Sequence, residues 1–85
     1  MAGYSLSYID ASGDRVTVGF DSAPSPREIA AAARDAARAL ERAFAAHAGD
    51  VDVDGLRVES IAPDGADALP IPVDTMIGDL PGALR

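Results

Sequence analysis

Three aspartates alternate with valine ahead of a glycine at Asp50-Val51-Asp52-Val53-Asp54-Gly55. The pattern D-x-D-x-D-G opens one kind of calcium loop, because a hard cation takes six to eight oxygens and alternate positions turn carboxylates toward one point. Such a loop closes on a bidentate acid at its twelfth position. Here that position is Ile61, and Glu59 stands two residues early. Without the closing ligand the segment reads instead as a hairpin with acids on its wet face. A calcium-binding loop is therefore only a further alternative, and no metal or cofactor is expected.

His47 is the one histidine, and so the one side chain whose ordinary pKa lies near neutrality. A serine nucleophile would need one of Ser5, Ser7, Ser12, Ser22, Ser25 or Ser60 beside it, with an aspartate behind. No strand–turn–helix serine elbow accompanies any of them. At the end of a helix His47 suits the dipole better than it suits catalysis. Paired carboxylates for acid–base work can be drawn from eleven aspartates in many ways, so no single pairing is informative. The chain has neither lysine nor cysteine. That excludes Schiff-base chemistry, a P-loop lysine, thiolate catalysis, disulfides and Cys-ligated zinc. A non-enzymatic role is the expectation.

Two charged surfaces remain. Arg27, Arg34, Arg38 and Arg42 recur along one helical face within residues 25–47, where the acids are Glu28, Asp35 and Glu41. That face reads as a solvated stripe laced by i, i+3 pairs such as Asp35–Arg38 and Arg38–Glu41; a phosphate- or carboxylate-docking face is its sharper form. The rest of the chain holds three arginines against eleven acids. Within it Asp50, Asp52, Asp54, Asp64 and Asp67 sit at turns and strand edges and form the candidate partner-binding patch. Short, rigidly placed carboxylates can imitate phosphate spacing and enter the basic groove of a nucleic-acid-binding protein. The formal charge of −7 opposes direct binding to nucleic acid or to an anionic membrane.

The elements that would carry these residues are legible in the apolar pattern. Tyr4, Leu6 and Tyr8 alternate with serines, and Val16, Val18 and Phe20 alternate with Thr17 and Gly19, which predicts a hairpin over 4–20. A three-residue loop, Ala11-Ser12-Gly13, puts Gly13 in the left-handed position and pairs Tyr8 with Val16, Leu6 with Val18 and Tyr4 with Phe20. It also sets Asp10 against Asp14, a like-charge pair. Ser25-Pro26-Arg27-Glu28 is a capping box with proline at the first helical position, and Gly49 supplies a stop. The helix over 26–47 would bury Ile29, Ala33, Ala36, Leu40, Ala43, Phe44 and His47, with Ile29, Leu40 and Phe44 as its anchors.

A second hairpin is predicted over 50–61, turned by Asp54-Gly55 as a two-residue type I′ loop. It would set Val53 against Leu56, Val51 against Val58, Asp52 against Arg57 and Asp50 against Glu59. Ile61 then has the wrong parity, so the strand must bulge there or begin a second apolar surface. Pro63-Asp64-Gly65 is a turn. Beyond it, prolines at 70 and 72 confine the stretch from Leu69 to Val73 to an edge strand or a polyproline-like arm. Asp74 would cap a short turn through Met76 and Ile77, ended by Leu80-Pro81-Gly82. The apolar residues from Leu69 to Leu80 would cover an open part of the core, or dock on a partner or a second copy.

Eighteen of the 41 apolar residues are alanine, and Leu, Ile, Val and Phe together number 19 of 85. The chain can fold, with little core in reserve. Its Ala-, Asp- and Arg-rich composition points to a bacterial or phage source. Met1-Ala2-Gly3-Tyr4 lacks the basic start and apolar run of a secretory signal, and no apolar stretch would span a bilayer, so a cytoplasmic location is the expectation.

These readings converge on one α+β domain over 1–85, of ββαββ order. One long helix packs on a small antiparallel sheet, with an extended arm or tail over 66–85. In length and charge the chain resembles the small acidic inhibitors that phages and mobile elements use against host nucleic-acid machinery, anti-CRISPR proteins among them; it shares no motif with them. The expected role is a small acidic binding or inhibitor protein that occupies the surface of a protein partner, in its sharpest form as a nucleic-acid mimic. The alternative is a structural or assembly module acting as a homodimer through the polar sheet face, an edge strand or the tail.

Overall fold

In a computed structural model that describes residues 3–21, 25–45 and 52–83, three strands form an antiparallel sheet under one long helix. Strand β1 (Gly3–Ile9) and strand β2 (Arg15–Asp21) make the first hairpin in the expected register, with Tyr4 opposite Phe20, Leu6 opposite Val18 and Tyr8 opposite Val16. Gly13 takes φ +89° and donates its N–H to the Asp10 carbonyl. Glycine meets that left-handed requirement without a Cβ clash. The Asp10–Asp14 juxtaposition is resolved locally. The Asp10 carboxylate accepts the N–H groups of Asp14 and Ser12, each at 2.9 Å, and the Ser12 hydroxyl at 2.8 Å. These donors, the Asp14 N–H foremost and then the Ser12 hydroxyl, hold the Asp10 carboxyl below the usual carboxylate range.

Helix α1 (Pro26–Ala45) begins as predicted, with the Glu28 N–H on the Ser25 hydroxyl and the Ile29 N–H on the Ser25 carbonyl. Its buried face is rotated from the expected one. Ile29, Ala30, Ala33, Ala37 and Glu41 are buried, Ala36 and Leu40 are half-buried, and Ala43 and Phe44 are exposed, Phe44 at 63%. An alanine-rich wheel offers little to choose between faces, and polar contacts decide the rotation. Tyr8 donates its hydroxyl to Glu41 at 2.8 Å, and Arg34 and Arg38 reach Asp54 on the opposite flank. Phe44 is therefore no anchor. His47, Gly49, Asp50 and Val51 lie outside the described residues, and with them the helix stop and the first two residues of the predicted second hairpin.

That second hairpin is not formed as predicted. Val53–Gly55 is a single 3-10 turn, and strand β3 (Val58–Pro63) pairs with β1 in the sheet order β2–β1–β3. Arg57 lies across from Met76 and not from Asp52, and Glu59 pairs with Arg15. The local turn signal of Asp54-Gly55 loses to the free edge of β1, which offers a longer ladder. The order is ββαβ followed by short C-terminal turns, not ββαββ. Tyr8 pairs with Val58 and Ser7 with Ser60, so Glu59 is the extra residue of a bulge. That bulge resolves the parity conflict: Val58 and Ile61 both reach the core.

The segment after Asp64 covers part of the core, as the first of its expected readings had it, and ends in more regular structure than a tail. Gly65 turns at φ +76°, and the Leu69 N–H donates to the Ile61 carbonyl. The chain then runs extended past Pro70 and Pro72. Val58 donates to the Thr75 carbonyl and Ile77 to the Leu56 carbonyl. A 3-10 turn (Ile77–Asp79) leads into the four-residue helix α2 (Leu80–Ala83), where a mere end of chain was expected. Met76, not Asp74, precedes that turn; Asp74 itself takes φ +63°. Ile77 and Leu80 are fully buried beside Leu6, Tyr8, Ile29, Ala33, Ala37 and Ile61. At ~25 cal/mol per Å² of apolar area, two large C-terminal residues add as much as any pair from the sheet.

Candidate functional site

The two charged surfaces expected from the sequence meet and cancel in part. Arg34 grips Asp54 with two nitrogens, Nε to Oδ1 at 3.1 Å and Nη2 to Oδ2 at 2.9 Å, and Arg38 Nη2 adds a third contact at 2.9 Å. A two-pronged guanidinium–carboxylate pair is the strong form of this interaction. The Arg34 contact above all, then Arg38, holds the Asp54 carboxyl below its usual range, and Asp54 raises Arg34 in return. Asp54 is thereby removed from the acidic patch, and Arg34 and Arg38 from the basic face. The approach is close enough that a Cβ at Gly78 would come within 2.9 Å of the Asp54 Cβ, so the pair also seats the C-terminal turn. Arg27 and Arg42 stay exposed without joining this cluster. The expected Asp35–Arg38 and Arg38–Glu41 pairs give way to it: Arg38 turns to Asp54, and Glu41 is buried under Tyr8.

The remaining acids of the patch fall at two places. Asp52 is exposed just before the 3-10 turn, beyond the start of β3. Asp64 lies past its end, where its N–H donates to the Gly3 carbonyl and its carboxylate accepts the Ser5 hydroxyl at 3.4 Å. Asp67 follows, also exposed. A strand rises ~3.3 Å per residue, so the two ends of β3, between which the chain passes from Asp52 to Asp64, lie about 17 Å apart. Asp50 is outside the described residues. Asp21 was not among the candidates, yet it pairs with Gly3 at the same end of the sheet as Asp64. Register alone would have placed it there.

Ion pairing elsewhere also consumes the basic residues. Arg15 pairs with Glu59, and Arg57 lies 3.6 Å from Asp74. Four of the seven arginines are thus engaged with acids of the same chain, while Asp14, Asp21, Asp35, Asp52, Asp64, Asp67 and Asp79 face solvent.

An open groove of about 640 Å³ runs between β3 and the extended segment, lined by Ser7, Ser60, Ile71 and Val73, with the Arg15–Glu59 and Arg57–Asp74 pairs at its rim. Its arginines already have partners, and it brings together no nucleophile and base. Among the described residues the one buried titratable pair, Tyr8 with Glu41, belongs to the core. Burial, and then the Glu41 carboxylate, push the Tyr8 phenol above its usual range. Among the described residues no cluster of three potential metal ligands occurs, and no helix is long and apolar enough to cross a membrane. Comparison of the chain with protein-family models, with curated proteins and with solved structures finds no match.

Proposed function

We propose that this is a small non-enzymatic binding protein that occupies a basic surface on a protein partner. The observation that carries the reading is the segregation of charge: four arginines are engaged by Asp54, Glu59 and Asp74 of the same chain, so among the described residues the field beyond the surface is set mainly by exposed aspartates, with Arg27 and Arg42 against them. A protein whose outward potential has one sign draws an oppositely charged partner at a raised rate. The molecule measures 34 × 27 × 19 Å. Its length is close to one turn of a DNA duplex, ~34 Å, which supports the nucleic-acid mimic as the sharper form. On this reading Asp52 at one end and Asp64 with Asp67 at the other are contact residues, and Asp54 is a structural one.

The test is affinity capture on the immobilised chain from bacterial lysate, eluted with a salt gradient and separately with excess duplex DNA. The expected outcome is a basic, nucleic-acid-binding protein released by both, and lost when Asp52, Asp64 and Asp67 are changed together to asparagine. Capture that ignores salt and survives the triple change would sink the proposal.

A further inference from the structure

The sheet order β2–β1–β3 leaves β2 at one margin and β3 at the other, and the fold treats the two margins differently. Along β3, the Leu69 N–H meets the Ile61 carbonyl and the Val58 N–H meets the Thr75 carbonyl, while Pro70 and Pro72 between them have no N–H to offer. Strand β2 has no such cover among the described residues. Its seven residues pair with β1 without a bulge and include neither proline nor lysine, the usual guards of an open edge.

The ladder shows which groups are left over. The Asp10 N–H donates to the Asp14 carbonyl, so the even-numbered residues of β2 exchange bonds with β1. The N–H and C=O groups of Arg15, Thr17, Gly19 and Asp21 then point to the open margin. An antiparallel, two-fold pairing about Val18 sets Arg15 opposite Asp21 of a second copy and Thr17 opposite Gly19, all as hydrogen-bonded pairs. Opposite charges meet at both ends of the seam. Parallel pairing would set like beside like, and the neighbouring antiparallel registers set Arg15 against Gly19 or Asp21 against Thr17. On the inner face the same register places Val18 against Val18 and Val16 against Phe20, each half-buried in the single chain.

We propose that β2 is a self-association edge, through which two copies join around Val18 into one continuous sheet. The proposal is independent of the acidic-surface reading. In the single chain Arg15, with 69% of its side chain exposed, rests on Glu59; in the pair it turns to Asp21 of the second copy.

Sedimentation of the full chain from micromolar to millimolar concentration tests it. The mass is expected to rise from 8.7 kDa to twice that value. Thr17→Pro removes a margin N–H while sparing the β1 ladder, and should hold the chain at the lower mass with an unchanged circular dichroism spectrum. Arg15→Asp and Asp21→Arg should each weaken association by about tenfold, and the two together should restore it. A single mass at every concentration overturns the proposal. So does a dimer that persists in Thr17→Pro, or one indifferent to the charge reversals.

Discussion

Tyr8 shows how one residue can serve sheet, helix and titration at once. Its ring is fully buried near the C-terminal end of β1, and its hydroxyl donates to Glu41, which is only 6% exposed. Tyr8→Phe keeps the ring and leaves a buried carboxylate without its donor, at an expected cost of about 1–3 kcal/mol by urea unfolding. The pair also has a pH signature. The folded state holds the Tyr8 proton more tightly than the unfolded chain does, so this contribution is complete below pH ~10 and lost as pH rises beyond it. The variant should start less stable and show less of that alkaline decline. Equal alkaline slopes for the two proteins would refute the assignment. Glu41 could not have been singled out from the sequence. On an alanine-rich wheel it reads as one more acid among arginines, and its partner lies 33 residues away.

At the scale of elements, legibility follows the range of the interactions that decide each one. The first hairpin and the start of α1 are settled within a few residues, by strand parity, Gly13 and Ser25, and they were readable. The fate of Asp54-Gly55 was not, because a turn signal competes there with pairing to β1 and with Arg34 and Arg38 from the helix. The bulge at Glu59 was half readable: Ile61 announced a parity conflict, but only the register with β1 shows where the extra residue goes. The spatial spread of the candidate patch was not readable either, since Asp52 comes before β3 while Asp64 and Asp67 come after it, and Asp54 is taken up by Arg34 and Arg38. The rotated helix face and the folded-back C-terminal segment yield one contrast. Phe44→Ala should change stability by less than about 0.5 kcal/mol. Leu80→Ala, from the C-terminal segment that covers the core, should cost about 2–5 kcal/mol. Thermal or denaturant melts of the two variants check both, and the reverse order would mean that the C-terminal turns do not close the core.

For the molecule as a whole, charge and stability pull against each other. Fourteen acids confront seven arginines, and the internal ion pairs relieve only part of the repulsion. Exposed like charges are screened within a Debye length of ~10 Å at 0.1 M salt, whereas the half-buried Asp54 cluster is screened less. Salt should therefore raise the melting temperature between low and physiological ionic strength. A falling temperature would show that the ion pairs outweigh the repulsion. The same salt that steadies the fold should loosen a basic partner, so stability and binding are expected to move in opposite directions.

The central position of β1 has a kinetic consequence. Its contact with β2 closes a short loop, whereas its contact with β3 and the seating of Ile77 and Leu80 require segments some 50 to 70 residues apart to meet. Hairpins form in about 1–10 μs, and distant pairings wait on the search for closure. The nucleus is then expected in the hairpin and helix, with the C-terminal turns docking last. Damage to those turns will chiefly speed unfolding and leave the folding rate nearly untouched. The durability of the native state is held by the part of the chain that reaches it last.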